Sequence, residues 1–170
     1  MCKKNQKPAI VTFQARLDAF LFLGVEQAVT PNTDFGMVWD YYFKTAEAAG
    51  FDGTYDYIVW YRKNDEQIYS VGKIADGTEK VPEGFSLAKF PACEYLVVTH
   101  DWLYSGDGIA LTQNYAGIGQ THDYKENVPM PDGYVRYDGP DSPLTQIEKE
   151  NSNPKDGNRF ERWVPIKKAE

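Results

Sequence analysis

A carboxylate and an indole stand two residues apart near the C-terminus, in Arg159-Phe160-Glu161-Arg162-Trp163-Val164-Pro165-Ile166-Lys167. Read as a strand, the segment alternates: Phe160, Val164 and Ile166 share one face with Arg162 between them, while Glu161, Trp163 and Pro165 share the other. The aliphatic face should meet helices. The second face has two chemical uses. The indole attracts a cation, and the carboxylate pairs with it in a low dielectric. Alternatively, desolvation raises the carboxyl pKa and makes Glu161 a general acid or base near neutrality. The plain alternative is a solvent-facing Glu161 paired with a Lys or Arg, contributing under about 1 kcal/mol. Trp163 weighs against it, because an exposed Trp is unusual without a partner. Pro165 removes a ladder donor and so predicts a sheet edge or strand end.

Other constellations are poorer. The two histidines occur as His100-Asp101 and His122-Asp123, without the further ligands at fixed spacing that a metal site needs. Ser105-Gly106-Asp107-Gly108 lacks the third glycine of a dinucleotide fingerprint and the lysine of a P-loop. No serine sits in a nucleophile elbow. Cys93 lies in an apolar run and reads as a small buried hydrophobe. No metal and no cofactor is expected.

The surroundings fit an organic ligand better than a polyanion. The chain has 170 residues, suiting one domain over 1–170. It holds 12 Tyr, 9 Phe and 4 Trp, and aromatics line ligand pockets as well as cores. A net charge of −7 excludes the basic footprint of a nucleic-acid binder. Two cysteines offer no disulfide framework, which predicts a reducing, cytoplasmic setting. The basic N-terminus has no signal-type apolar segment behind it. The apolar run Ala19 to Val25 is too short to span a bilayer.

The elements that must position these residues follow from pattern. A strand is expected from Ala19 to Glu26, with Val11 to Phe13 a possible earlier piece. A helix should run from Phe35 to Ala49, capped by Thr33 or Asp34 and stopped at Gly50. Tyr55 to Arg62 and Ile68 to Ile74 form a hairpin about Lys63-Asn64-Asp65. The order then repeats: a long strand from Phe85 to Thr99 kinked at Pro91, a helix over 109–127, a strand from Tyr134 to Tyr137, and the closing strand. Residues 138–158 should be mostly loop, with a short strand at Leu144 to Glu148. The fold class is α+β: duplicated β-α-β-β units with pseudo-twofold symmetry, one over about 19–78 and the other over about 85–168. Antiparallel sheets should carry the helices on one face.

Three runs in this order resemble the GyrI-like small-molecule-binding domain, the effector-binding module of many AraC- and MerR-type transcription regulators. They are Tyr69-Ser70-Val71-Gly72-Lys73, then Val81-Pro82-Glu83-Gly84 leading to Pro91-Ala92-Cys93-Glu94-Tyr95, and finally Phe160 to Lys167. The resemblance covers roughly residues 20 to 168. Cys93 and Glu94 depart from the family's glycine and polar residue, and a second acid expected before the final loop falls in Asp141 to Lys149, where Glu148 could serve.

The resemblance implies a groove between the repeats that takes lipophilic, often cationic molecules among aromatic side chains around an acid. Glu161, Trp163 and Tyr95 match its pocket positions by motif, and Glu148 is a further ligand candidate. Trp39, Tyr42 and Trp60 are candidates from aromatic density, with core packing as their competing role. The leading expectation is a stand-alone protein that sequesters or senses a lipophilic, cationic or neutral organic ligand. It has no helix-turn-helix of its own and should not bind DNA directly. A second expectation is a hydrolase of strained electrophiles, with Glu161 as base and Tyr95 or Tyr137 as its partner. A third is an inhibitor that contacts a regulator or enzyme through its acidic surface.

Overall fold

The computed structural model describes residues 10–51, 54–78, 80–102, 130–137, 139–153 and 157–170. Nine strands and one helix occur in these segments: β1 (Ile10–Leu17), β2 (Phe20–Ala28), α1 (Phe35–Ala48), β3 (Tyr57–Lys63), β4 (Glu66–Ala75), β5 (Ser86–Phe90), β6 (Cys93–Trp102), β7 (Tyr134–Arg136), β8 (Gln146–Asn153) and β9 (Gly157–Lys168). They form one antiparallel sheet in the order β1-β6-β9-β8-β3-β4-β2-β5, with β7 added beside β9. The fold is α+β, as the sequence predicts. The helix expected over 109–127 lies outside the described residues.

Local chemistry explains the best-defined elements. Asp34 is the N-cap of α1, and its Oδ1 accepts from the amides of Gly36 (2.9 Å) and Met37 (3.4 Å). At the other end Gly50 adopts φ +80°. Its amide donates to the Glu47 carbonyl, and that of Phe51 to the Ala46 carbonyl, which is the Schellman pattern. Asn64 and Asp65 both take positive φ, matching the twist that a two-residue hairpin loop between β3 and β4 demands.

The strand order is a palindrome about its centre. β3 and β8 pair in the middle through Ile58–Glu148, Val59–Ile147 and Trp60–Gln146. Outward from that seam, β4 and β2 answer β9 and β6, and β5 extends one side as β1 extends the other. This is the pseudo-twofold expected from the duplicated pattern, with its axis at Val59 and Ile147.

Connectivity requires the sheet to curl. β5 and β6 lie six strand steps apart, roughly 29 Å if flat, yet only Pro91 and Ala92 separate them, a reach of about 11 Å. The same holds for β1 and β2, joined through Asp18 and Ala19. The Tyr61 ring on β3 accordingly reaches Phe90 on β5, three strands away, with centroids 5.2 Å apart. The inner face is filled by Phe22, Tyr57, Val59, Tyr61, Ile68, Phe90, Cys93, Tyr95, Val97, Leu144 and Ile147. The opposite, outer face carries α1, whose Val38, Tyr42 and Ala46 pack on Val25, Ile58, Tyr69 and Val71. Leu96, Val164 and Ile166 form a smaller cluster on the second repeat.

Three expectations are corrected. Phe85 to Thr99 is not one kinked strand: Pro91 and Ala92 divide it into β5 and β6, which pair with β2 and with β1 and β9 respectively. The polar stretch before residue 158 is not mostly loop: Gln146–Asn153 is a full strand, because β9 offers it a complete ladder. Pro165 is not at an edge. β9 lies inside the sheet, and Pro165 falls where β8 has ended, opposite Trp163, and β7 begins, opposite Ile166. Among the described residues no helix is long and apolar enough to cross a membrane.

Candidate functional site

The ladder registers assign each expected site residue to a face, since residues directly opposite in an antiparallel pair point the same way. Glu161, Trp163 and Tyr95 lie on the inner face. Glu148, Trp60, Trp39 and Tyr42 belong to the helix face. The expected set is thus divided by the sheet, with one carboxylate on each side.

On the inner face the alternation at Glu161 and Trp163 holds. Trp163 Nε1 donates to Glu161 Oε2 at 3.1 Å, and the Trp163 ring meets that of Tyr95 edge-on at 5.7 Å. Tyr95 is fully buried. Its hydroxyl makes no hydrogen bond among the described groups and lies near the Cys93 thiol. Burial, chiefly, pushes the Tyr95 hydroxyl above its usual range. Tyr137 sits beside Pro165, four residues along β9 from Glu161, or roughly 13 Å of strand. Tyr57, which sequence reasoning did not single out, is the tyrosine that senses the Glu161 charge: burial raises it first, then Asp56 and Glu161. Lys149 stands opposite Glu161 and places its Nζ 5.8 Å from the Tyr57 ring centroid.

The helix face holds the more unusual group. Glu148 is only 9% exposed, and Gln146 Nε2 donates to its Oε1 at 3.0 Å. Burial pushes this carboxyl up from the ordinary 4.5; Arg162, Trp60 and Gln146 pull it back down without cancelling the shift. Trp60 and Tyr69 of the first repeat stand beside it, and further rings pack on these two. Trp60 and Tyr69 meet edge-on with centroids 4.9 Å apart. Phe35, from the first turn of α1, lies 5.0 Å from Tyr69 and 5.8 Å from Trp60. Trp39, one turn on, contacts Tyr55 at 5.0 Å and Tyr42 at 6.0 Å. Tyr69 titrates above its usual range through burial, with the Glu148 charge as the second cause. The Trp60 indole N–H is buried beside this carboxylate yet makes no hydrogen bond of good geometry.

Of the aromatic candidates, Tyr42 is a core residue: it is 1% exposed and its hydroxyl donates to the Thr54 carbonyl at 2.7 Å. Trp39 and Trp60 are half-buried, and Phe35 is 37% exposed, so the cluster has an accessible rim. Sequence reasoning missed Phe35, Tyr69, Gln146 and Arg162 here. The alternation of β3 and β4 contained the signal for Tyr69, since Trp60 and Tyr69 stand directly opposite across the hairpin. Nothing local could have shown Glu148 beside them, because β8 joins β3 from 88 residues away in the register Val59–Ile147.

A half-buried aromatic rim above a buried carboxylate can take an organic cation by ring-face attraction and charge pairing. It can also take a neutral aromatic by burial alone.

No family model and no curated protein matches the sequence. Solved structures do. The structure of SAV2435 bound to tetraphenylphosphonium superposes with a TM-score of 0.60 at 10% identity, covering 92% of this chain and 94% of that one. The EcmrR C-terminal domain gives a TM-score of 0.55 at 13% identity, with coverages of 94% and 99%. An integron cassette protein from the mobile metagenome of Vibrio cholerae also gives 0.55 at 13% identity, with coverages of 96% and 100%. At such identities the likeness concerns the path of the chain. With the β-α-β-β pattern and the pseudo-twofold order, it gives this protein the fold of the GyrI-like small-molecule-binding domain.

Proposed function

We propose that the protein binds a lipophilic organic cation on the helix face, with Glu148 as the acid and Trp60, Tyr69, Phe35 and Trp39 as the aromatic wall. It would act as a sequestering or sensing protein in the cytoplasm. The observation that carries this reading is a buried carboxylate beside the Trp60–Tyr69 ring pair at the sheet's midline. A carboxyl whose pKa is raised by burial is restored to its charged form by a cation brought close to it. The net charge of −7 favours the approach of such a ligand. That a protein of the same fold was obtained bound to tetraphenylphosphonium gives the choice of probe. Glu161 is the alternative acid; it accepts from Trp163 and stands opposite Lys149, but it is only half-buried where Glu148 is buried.

The test is calorimetric titration of tetraphenylphosphonium and of neutral triphenylphosphine oxide into wild type, Glu148→Gln and Glu161→Gln. Glu148→Gln should weaken the phosphonium at least about tenfold, the scale of one desolvated charge contact. It should leave the neutral probe within about twofold. Loss with Glu161→Gln and none with Glu148→Gln would move the seat to the inner face. No binding of either probe would refute the reading.

A further inference from the structure

The pseudo-twofold axis relates the positions around the seam in a specific way. With Val59 and Ile147 at the centre, Trp60 is the counterpart of Glu148. Tyr69, opposite Trp60, is the counterpart of Arg162, opposite Glu148. The first repeat therefore brings two aromatic rings to the helix face, and the second brings an acid and a guanidinium. Nothing in the strand pattern of β9 asks for an arginine here. Its neighbours on the same face, Val164 and Ile166, are buried and apolar. Arg162 is half-buried with its Nε sealed from solvent, and a charge drawn partly out of water is best compensated by a carboxylate. Directly opposed cross-strand residues have Cβ atoms about 5 Å apart, so Glu148 is placed to do so. The Arg162 charge is accordingly the largest influence holding the Glu148 carboxyl down against its burial.

We infer that Arg162 is a built-in occupant of the cation position at Glu148, which an incoming ligand must displace. This rests on the helix-face reading above and deepens it, because it sets the ligand class. A small hydrated cation would exchange one charge for another and gain nothing. Only a cation that also buries hydrocarbon against Trp60, Tyr69 and Phe35 offsets the displacement. Arg162 is thus a specificity-determining residue that rejects hydrophilic cations and admits lipophilic ones.

The experiment compares wild type with Arg162→Gln, Arg162→Met and Arg162→Lys. Tetraphenylphosphonium, tetramethylammonium and triphenylphosphine oxide are titrated into each. Both neutral variants should bind the phosphonium about tenfold tighter or more and acquire measurable affinity for tetramethylammonium. Arg162→Lys should stay near wild type, and the neutral probe should bind all four alike, which also certifies that the seat is folded. Should the substitutions prevent folding, wild type suffices. The Arg162 Nε–H resonance should lose its protection from solvent exchange on saturation with the phosphonium and keep it with the neutral probe. If wild type binds the phosphonium and the neutral variants bind it no tighter, or the resonance is unmoved, the displacement role is overturned while the binding site stands. If no form binds the phosphonium, the underlying reading fails as well.

Discussion

Gly72→Ala tests the close approach of β2 and β4 within the first repeat. Gly72 on β4 faces Gly24 on β2, and a Cβ built on Gly72 would lie 2.0 Å from the Leu23 carbonyl oxygen and 2.5 Å from the Gly24 Cα. Carbon–oxygen contact needs roughly 3.3 Å, so the strands must part by more than 1 Å. Both obstacles are backbone, so no side chain can swing aside. The β2–β4 ladder runs from Leu21–Ala75 to Ala28–Ile68, with the glycine pair in its interior. Separating it there costs about two hydrogen bonds at about 1 kcal/mol each, and overpacking adds about 1–3 kcal/mol. The sum, about 3–5 kcal/mol, corresponds to a fall in Tm of roughly 6–20 °C for a chain of this size. Thermal melting followed by circular dichroism measures it. Gly133→Ala is the control: its φ is +79° and nothing lies within 4 Å of an added Cβ, so it should cost only the left-handed penalty of about 1–2 kcal/mol. If Gly72→Ala melts within a degree of Gly133→Ala, close strand approach is not what the glycine provides.

Two further predictions concern the helix and the buried acid. Asp34→Ala removes the side chain that satisfies two amides at the start of α1, next to Phe35. It should cost about 1 kcal/mol in urea unfolding. For Glu148 the folded pKa is raised, so the folded state holds the proton more firmly than the unfolded chain. Wild type should therefore lose stability relative to Glu148→Gln as pH rises from the ordinary carboxyl value of 4.5 through the folded one, and the gap should be flat below that window. Over the same window phosphonium binding to wild type should strengthen with pH, and binding to Glu148→Gln should not.

Much of this architecture is legible in the sequence. Phe35 to Ala49 carries its stripe, its Asp cap and its Gly stop in consecutive residues, and Tyr57 to Ala75 carries its turn between two aromatic, β-branched runs. The alternation in Arg159 to Lys167 correctly paired Glu161 with Trp163. The illegible parts were those decided by distant partners. Gln146-Ile147-Glu148-Lys149-Glu150-Asn151-Ser152-Asn153 has the composition of a loop and becomes a strand because β9 supplies its ladder. Pro91 reads as a kink until the sheet order shows its two flanks pairing with different strands. Which face Glu148 takes depends on a register between β3 and β8 that no local period encodes.

The seam between β3 and β8 is held by three residue pairs, whereas β8 and β9 share seven. A three-pair ladder opens more readily than a seven-pair one, which makes the seam the natural joint between the two repeats. A molecule lying across Trp60 and Tyr69 on one repeat and Glu148 on the other is a rivet through that joint. Occupancy would then be felt first as a loss of play between the halves, before any change in the shape of either.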